Sequence, residues 1–222
     1  MSFASVSFLL FFLVVLLLLL LVQRVLPFAE IKRRIICQGI LLIASYVFYG
    51  WWNMRLCLLL MGITWISFFT AVKKDEKHLR QSRISLLIGV GTPLAVLGIF
   101  KYYDFFVTSF CEVFHLTPGV LNLILPVGIS FYTFQALSYT IDVYTGKIEK
   151  EKSFLQFALY LSFFPQLVAG PIVKASEFLP QLKENRKVTL SGLESGIQIF
   201  VFGMFKKVVL ADNISVFVDE VY

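Results

Sequence analysis

The chain has 222 residues, of which 58% are hydrophobic and 15% are charged, and its formal net charge is +6 at pH 7. A soluble domain is about 45–50% apolar and about 25% charged, so this composition excludes an ordinary soluble domain and indicates a membrane protein. The basic residues lie in short clusters between apolar runs, as membrane-flanking charges do, and do not indicate nucleic-acid binding. The predicted fold class is all-α, a polytopic transmembrane helical bundle with broken or re-entrant helices.

The first four predicted spans cover residues 3–22, 35–50, 56–72 and 84–103. The first has about 20 apolar residues, which matches the thickness of the hydrocarbon core of a bilayer. No basic region precedes it and no small-residue cleavage site follows it, so we expect an uncleaved anchor and not a signal peptide. The second span ends in the aromatic run at 46–52, which is typical of a membrane interface.

The distribution of basic residues between these spans predicts their orientation. Four basic residues follow the first span, one follows the second, and five follow the third. Cytoplasmic loops carry the excess of lysine and arginine, so the first and third loops are predicted to be cytoplasmic and the N-terminus to lie outside.

The middle of the chain departs from simple apolar spans. The fourth span contains Gly89, Gly91, Pro93 and Gly98, which predicts a kink or close helix packing. Residues 104–118 are too polar and too short for a span, and we expect a short interfacial helix that ends near Pro118-Gly119.

The fifth predicted span, 120–142, carries a polar stripe. Five side chains fall within about a third of the circumference of a helix: Tyr132, Gln135, Ser138, Tyr139 and Asp142. Such a stripe should face protein or water and not lipid. It is compatible with hydrogen bonds between helices and with a wall that faces a substrate.

The sixth predicted span, 153–170, is broken by its own sequence and follows a charged loop, 146–152, that we expect to be solvated. Pro165 interrupts the apolar run, Gln166 follows it, and Gly170-Pro171 interrupts the helix again. Within a membrane, non-helical backbone persists only where protein or a water-filled cavity satisfies its polar groups. We therefore expect an enclosed segment that lines a substrate path; the alternative is a proline kink between two ordinary helices.

The seventh predicted span, 190–210, has charged residues at its end. Lys206 and Lys207 interrupt its apolar run, and Asp212-Asn213 are expected to terminate the helix. The two lysines are compatible with attraction of an acidic acyl donor or carrier protein, and also with anchoring at the membrane interface.

The chain has no complete catalytic set in its sequence. Of its two histidines, His78 lies in a basic loop and is expected to be solvated, and His115 is more typical of an interfacial residue than of a general base. No phosphate-binding loop, nucleophile elbow or cysteine–histidine metal spacing occurs, so the sequence predicts no cofactor and no metal site.

Several long motifs, in order along the chain, resemble one family. They are LPVGISFYTFQ at 125–135, SYTIDVY at 138–144, LSFFPQLVAGPI at 161–172, and FGMFKK at 202–207 followed by ADN at 211–213. Shorter matches are FLLFF at 8–12, SYVFYGWW at 45–52 and FKYY at 100–103. These motifs are similar to those of the membrane-bound O-acyltransferase family, in the bacterial branch typified by the alginate O-acetyltransferase membrane subunit.

The resemblance implies a function and a set of partners. Family members transfer an acyl group from a thioester donor or acyl carrier protein on the cytoplasmic side to a hydroxyl, here of an exported polysaccharide such as alginate. A histidine in a membrane tunnel acts as the general base. The resemblance also implies a bacterial cytoplasmic membrane, surrounding lipid and partner subunits of a polysaccharide-modifying complex.

The resemblance covers residues 1–222 as the N-terminal half of a single acyltransferase domain. Neither histidine lies in the family's catalytic motif, so the catalytic histidine is expected beyond residue 222. The residues expected to line the tunnel are Gln135, Asp142, Pro165, Gln166, Gly170 and Pro171.

A non-enzymatic protein is the alternative function. A transporter or a scaffold subunit of a polysaccharide export machine also contains broken helices and intramembrane polar residues. An inverted repeat would favour the transporter, and the sequence shows none. A catalytic histidine in a continuation of the chain would favour the enzyme.

Overall fold

The structure is a computed structural model that describes residues 5–24, 29–75, 77–114, 117, 119, 121, 123–167, 170–184 and 189–221. His115 and Pro118, which the sequence analysis singled out, lie outside these residues. The described part consists of helices and connecting segments without a β-strand, which confirms the all-α fold class.

The helices follow the apolar runs of the sequence. They are α1 (Val6–Arg24), α2 (Glu30–Gly50), α3 (Met54–Thr70), α4 (Leu79–Val113), α5 (Ile129–Tyr144), α6 (Phe154–Ser162), α7 (Phe164–Leu167), α8 (Ala175–Lys183), α9 (Leu190–Phe205), a π-helix (Lys206–Ala211) and α10 (Asp212–Val221). By length and composition, α1 and α4 are able to cross a membrane, and shorter apolar helices lie at Met54–Thr70 and Phe154–Leu167.

The chain forms two compact units. One contains residues 1–37 and 185–222, and in it Phe12 of α1 stacks on Phe200 of α9 with ring centroids 6.2 Å apart. The other contains residues 38–184, where α3, α4, α5, α6 and α8 pack together. Large aromatic side chains fill the core of this second unit, and the most enclosed are Tyr132, Tyr139, Phe157 and Tyr160.

A glycine allows three helices of the second unit to approach closely. A Cβ atom placed on Gly89 of α4 would lie 2.5 Å from Thr70 Oγ1 and 2.9 Å from Thr140 Cγ2. Any larger residue would therefore push α4 away from α3 and α5, as is typical of small residues between membrane helices. The close packing predicted for the fourth span is confirmed.

Helix α4 is longer than predicted. It runs for 35 residues from Leu79 to Val113, which is about 52 Å at the rise of an α-helix. The separate interfacial helix predicted at 104–118 is wrong, because these residues continue α4 through Val113. Polar side chains do not interrupt backbone hydrogen bonding, and no glycine or proline lies between Tyr103 and Val113.

Helix α5 begins later than predicted. The predicted span started at residue 120, but residues 123–126 are not helical and α5 begins at Ile129. Proline disfavours helical backbone at the residue before it, here Leu125. Gly128 then adopts φ 76°, in the left-handed region that glycine tolerates, and helical backbone starts directly after it. The polar stripe does face protein: Tyr132, Gln135 and Tyr139 are buried.

The last helical segment continues past its predicted end. Asp212 and Asn213 were expected to terminate the helix, but α10 begins at Asp212 and runs to Val221. Asn213 Nδ2 donates to the carbonyl oxygen of Val209 at 2.8 Å. Its amide therefore binds a backbone carbonyl of the π-helix, so the same residue type that often stops a helix joins two helical segments here.

Candidate functional site

The broken segment predicted from the sequence is present between α6 and α8. Helix α6 ends at Ser162, Phe163 leaves helical backbone with φ −56° and ψ 110°, and α7 forms one turn from Phe164. Pro165 lies in the first turn of α7, where its missing N–H group removes no hydrogen bond. The N–H group of Phe164, which the break leaves without a helical partner, donates to Ser45 Oγ of α2 at 3.2 Å.

Gln166 satisfies a second backbone group at the break. Its side-chain Nε2 donates to the carbonyl oxygen of Tyr160 at 2.9 Å, at the end of α6 where helical acceptors lose their partners. Its own carbonyl oxygen accepts from Gly170 N at 3.2 Å. A Cβ atom on Gly170 would lie 2.7 Å from Gln166 Cα and 2.9 Å from Gln166 Cβ, so the turn after α7 has room only for glycine.

Tyr160 joins the broken segment to α5. Its side chain is fully buried, and its hydroxyl donates to the carbonyl oxygen of Val173 at 3.1 Å and lies 3.5 Å from that of Gln135. Val173 belongs to the non-helical segment 171–174, which has no helical partner for its backbone. Side chains of Ser45, Gln166 and Tyr160 thus satisfy backbone groups that the break exposes, as membrane depth requires.

Removal of the Tyr160 hydroxyl tests this arrangement. Tyr160→Phe keeps the buried ring but leaves the Val173 carbonyl without its donor, so we expect a loss of about 1 kcal/mol of stability. Thermal unfolding of the detergent-solubilised protein measures the loss. Tyr102→Phe is the matched control, because Tyr102 is exposed on α4 and its variant should unfold like the wild type. Equal midpoints for the Tyr160→Phe variant and the wild type would contradict the assigned hydrogen bond.

Gln135 presents an unused acceptor beside this segment. It is 2% exposed, and its Oε1 has no hydrogen-bond partner among the described residues. The same holds for other buried side-chain oxygens, among them Ser67 Oγ, Thr133 Oγ1 and Gln156 Oε1. Buried polar atoms are normally paired, so each of these is a position where water or a ligand hydroxyl would find an acceptor.

Asp142 binds Ser138 and the loop that follows α5. Its Oδ1 is 3.6 Å from Lys147 Nζ, and Ser138 Oγ donates to its Oδ2 at 3.4 Å. Its carbonyl oxygen accepts from Lys147 N and Ile148 N in the turn that ends α5. The structure therefore links Gln166 to Gly170 and to Tyr160, whose hydroxyl lies beside the Gln135 carbonyl. Pro165 and Pro171 are exposed at the edge of the break, and Asp142 binds the following loop.

The sequence analysis missed Glu151. The loop 146–152 was expected to be solvated, and that is wrong for Glu151, which is only 5% exposed. Its Oε1 accepts from Lys152 N and Ser153 N, its Oε2 lies 2.7 Å from Lys183 Nζ, and its own N–H donates to Tyr139 at 2.9 Å. The alternating charges around it gave no signal that one carboxylate turns inward.

The surroundings of Glu151 fix its charge. Burial alone would raise the pKa of Glu151, but the Lys183 ammonium and the two backbone N–H groups together lower the pKa below its usual 4.5. The carboxylate is thus ionised at neutral pH and links the start of α6 to the end of α8. It therefore joins the two helices that flank the broken segment, at the ends remote from the break.

The two lysines of the C-terminal unit also have partners. Lys206 Nζ lies 4.5 Å from the centroid of the Phe202 ring, and Lys207 forms an ion pair with Asp212. They begin the π-helix, a rare element that often marks functional positions. The pairing with Asp212 neutralises part of the charge that would attract an acidic donor, which was one of the two interpretations of these lysines.

His78, the histidine among the described residues, does not resemble a general base. His78 Nδ1 lies 3.0 Å from Asp75 Oδ2 in the exposed connection between α3 and α4. The hydrogen bond from His78 lowers the pKa of Asp75. No described group of histidine, cysteine and carboxylate side chains is arranged to hold a metal ion.

Comparisons of the sequence with a family model and with curated proteins agree on one family. The family model of MBOAT, the membrane-bound O-acyltransferase family, matches residues 147–221, which include the broken segment. The probable alginate O-acetylase of Pseudomonas putida is 38% identical over 189 residues, covering 82% of this chain and 39% of the relative. The corresponding protein of Pseudomonas aeruginosa is 37% identical, covering 82% of this chain and 36% of the relative.

A relative with a different named acceptor is equally similar. The peptidoglycan O-acetyltransferase of Helicobacter pylori is 37% identical over 206 residues, covering 81% of this chain and 39% of the relative. The chain thus spans less than half the length of the curated relatives it matches, and no solved structure matches it. The motifs at 125–144 and 161–172, the match at 147–221 and these relatives agree: the chain belongs to the membrane-bound O-acyltransferase family and is an integral membrane protein.

Proposed function

We propose that this chain is the N-terminal part of a single acyltransferase domain that transfers an acetyl group to hydroxyls of an exported polysaccharide. The observation that carries the proposal is the broken α6–α8 segment, whose backbone is satisfied internally and which lies within the residues that match the family. The named acceptors of the relatives, alginate and peptidoglycan, are both carbohydrate polymers. A polysaccharide hydroxyl is their common chemistry, and alginate is the first acceptor to test.

The proposed reaction is attack of a sugar hydroxyl on a thioester. A histidine beyond residue 222 takes the hydroxyl proton as general base, the new ester C–O bond forms, and the C–S bond of the donor breaks. The donor, a thioester or an acyl carrier protein, approaches from the cytoplasm, and the polysaccharide lies outside. No metal or cofactor is part of this scheme.

The proposed location is the bacterial cytoplasmic membrane, with the N-terminus outside and the connections after α1 and α3 in the cytoplasm. Arg24, Arg33 and Arg34 border the first connection, and Lys73, Lys74 and Arg80 are among the cations of the other. Proposed partners are membrane lipid and the other subunits of a polysaccharide-modifying complex. The positive-inside rule supports this orientation.

The proposed tunnel wall consists of Gln135, Asp142, Pro165, Gln166, Gly170 and Pro171. The strongest support concerns Gln135, whose buried Oε1 has no partner among the described residues and would accept a hydrogen bond from an acceptor hydroxyl. Gln166 and Gly170 contribute by holding the backbone of the break in place. Lys206 is proposed as the donor-side cation, and Lys207 shares its charge with Asp212.

Gln166→Leu tests the role of the break in transfer. The variant loses the hydrogen bond to the Tyr160 carbonyl and shifts α7, and a misplacement of about 1 Å near a reacting site reduces a rate up to about hundredfold. We expect acetyl transfer in the complete gene product to fall at least tenfold while membrane insertion is unchanged. Alkali-released acetate from the exported polysaccharide measures transfer, and blotting of washed membranes measures insertion.

The matched control is Gln181→Leu. Gln181 makes the same kind of bond, from Nε2 to the carbonyl oxygen of Glu177 at 2.8 Å, but on the exposed face of α8. Its variant should retain wild-type transfer. Unchanged transfer in Gln166→Leu would contradict the proposed wall, whereas absence of ester acetate from the wild-type polysaccharide would contradict the proposed acyltransferase itself.

A further inference from the structure

An apolar groove lies between α2 and α3. It encloses about 840 Å³, and it is lined by Leu42, Ile43, Tyr46, Val47 and Gly50 from α2, by Trp51 from the turn that follows, and by Met54, Arg55, Cys57, Leu58 and Met61 from α3. A second hollow of about 520 Å³ shares Leu42, Tyr46 and Met61 with it and continues past Gly62 and Trp65 towards α6. The two hollows are therefore neighbours on the same apolar surface of α2 and α3.

The sequence at the turn between the helices gives the groove its shape. A Cβ atom on Gly50 would lie 3.2 Å from Met54 Sδ and 3.3 Å from Cys57 Sγ, so a larger residue would crowd the closed end. Asn53 caps α3 by accepting from Arg55 N at 3.0 Å, which fixes where that helix begins. The groove is therefore built by a tight turn and does not arise from a mobile loop.

Arg55 places one cation at the end of this apolar surface. Its side chain has no ion-pair or hydrogen-bond partner among the described residues. A cation in the first turn of a helix is disfavoured by the helix dipole, so the stability of α3 does not explain an arginine at this position. Trp51 and Trp52 beside it are exposed, as tryptophans at the level of lipid headgroups are.

We propose that this groove binds one anionic phospholipid, with an acyl chain along α2 and α3 and the phosphate on the Arg55 guanidinium. The apolar lining of the two neighbouring hollows suits an acyl chain, since burial of each methylene group is favourable there. A guanidinium binds phosphate oxygens through two parallel hydrogen bonds, which an unpaired arginine beside the groove can offer. The charge selects anionic over zwitterionic headgroups.

The test counts bound lipid on the complete gene product in mild detergent by native mass spectrometry. The probes are palmitoyl-oleoyl phosphatidylglycerol and palmitoyl-oleoyl phosphatidylethanolamine at equal concentration. We expect one phosphatidylglycerol to bind preferentially to the wild type, and Arg55→Gln to weaken this binding about tenfold, as loss of a charged hydrogen bond does. Arg83→Gln, which removes an exposed arginine of α4, should leave binding unchanged.

A second pair of variants tests the acyl-chain portion. A Cβ atom at Gly62 meets no atom within 4 Å, and Gly62 lines the second hollow, so Gly62→Leu is expected to occupy that hollow and weaken phosphatidylglycerol binding severalfold. Gly39→Leu on α2 also meets no atom and lies outside the groove lining, so it serves as control. Thermal unfolding confirms that all four variants are folded.

Each outcome of these measurements either supports or overturns the proposed lipid site. Loss of the preferred lipid in Arg55→Gln and Gly62→Leu, with retention in both controls, supports the site. Equal binding of both headgroups, equal binding by Arg55→Gln and wild type, or the absence of a preferentially bound lipid each overturns it. The last result would mean that other parts of the protein cover the groove.

Discussion

Gly170→Ala is expected to destabilise the protein by about 2 kcal/mol, as overpacking of a well-packed site does. The added Cβ would lie 2.7 Å from Gln166 Cα and 3.0 Å from Gln166 O, and these backbone atoms move only if α7 moves. Displacement of α7 would also draw the Gln166 amide away from the Tyr160 carbonyl. The same substitution is therefore expected to reduce acetyl transfer in the complete gene product along with stability.

Gly98→Ala is the matched control for this prediction. A Cβ at Gly98 meets no atom within 4 Å, and alanine is favoured over glycine within a helix by about 1 kcal/mol. Thermal unfolding in detergent should therefore show a lower midpoint for Gly170→Ala and an equal or higher midpoint for Gly98→Ala. If Gly170→Ala unfolds at the wild-type temperature, the tight turn after α7 is not as the structure has it.

The break itself could be predicted from the sequence because its determinants are local. Proline and glycine restrict or release the backbone wherever they stand, so Pro165 and Gly170 marked the ends of α7 without knowledge of the surroundings. The later start of α5 follows from the same kind of local signal at Pro126 and Gly128, which the apolar run from residue 120 obscured. The continuation of α4 was not predicted, because the polar side chains after residue 103 were interpreted as the end of the helix. Polar side chains do not break backbone hydrogen bonds, so the helix continues to Val113.

The partners of the break could not be predicted, because they come from distant parts of the chain. Nothing in the sequence around Ser45 predicts that it contacts Phe164, which lies 119 positions away. Gln135 and Asp142 share a face of α5, as the helical period predicted. Asp142 nevertheless binds the loop after α5, whereas the Gln135 carbonyl lies beside the Tyr160 hydroxyl. Periodicity gives the face of a helix, whereas the neighbouring elements decide what that face contacts.

Glu151 carries the second large expected effect. Glu151→Leu would leave the N–H groups of Lys152 and Ser153 without an acceptor and would remove the carboxylate from the Lys183 ammonium, and we expect a loss of about 2–3 kcal/mol. Glu151→Gln keeps an amide oxygen at the position of Oε1 for both backbone N–H groups and loses the ionised contact with Lys183, so it should lose only about 1 kcal/mol. Lys183→Met should cost no more than that, because Lys183 is 57% exposed and water screens the pair.

The charge-exchanged double variant separates the two parts of this effect. In Glu151→Lys with Lys183→Glu the ion pair is restored in reverse, but a lysine at position 151 accepts no hydrogen bond from Lys152 N or Ser153 N. We therefore expect the double variant to remain unstable, like Glu151→Leu. Recovery of wild-type thermal unfolding would show that charge attraction, and not backbone capping, is what Glu151 supplies.

The pH dependence of unfolding gives an independent measure of the same carboxylate. The pKa of Glu151 is lower in the folded protein than its usual 4.5, so the folded state binds this proton less readily than the unfolded state. Its contribution to stability is present above the unfolded pKa and is lost as the pH falls through the folded pKa. The wild type should thus lose more stability than Glu151→Gln between pH 7 and strongly acidic pH, when thermal midpoints are compared in one detergent. Parallel curves for the two proteins would mean that the pKa of Glu151 is not shifted by folding, and the assigned contacts of its carboxylate with Lys183, Lys152 and Ser153 would then be wrong.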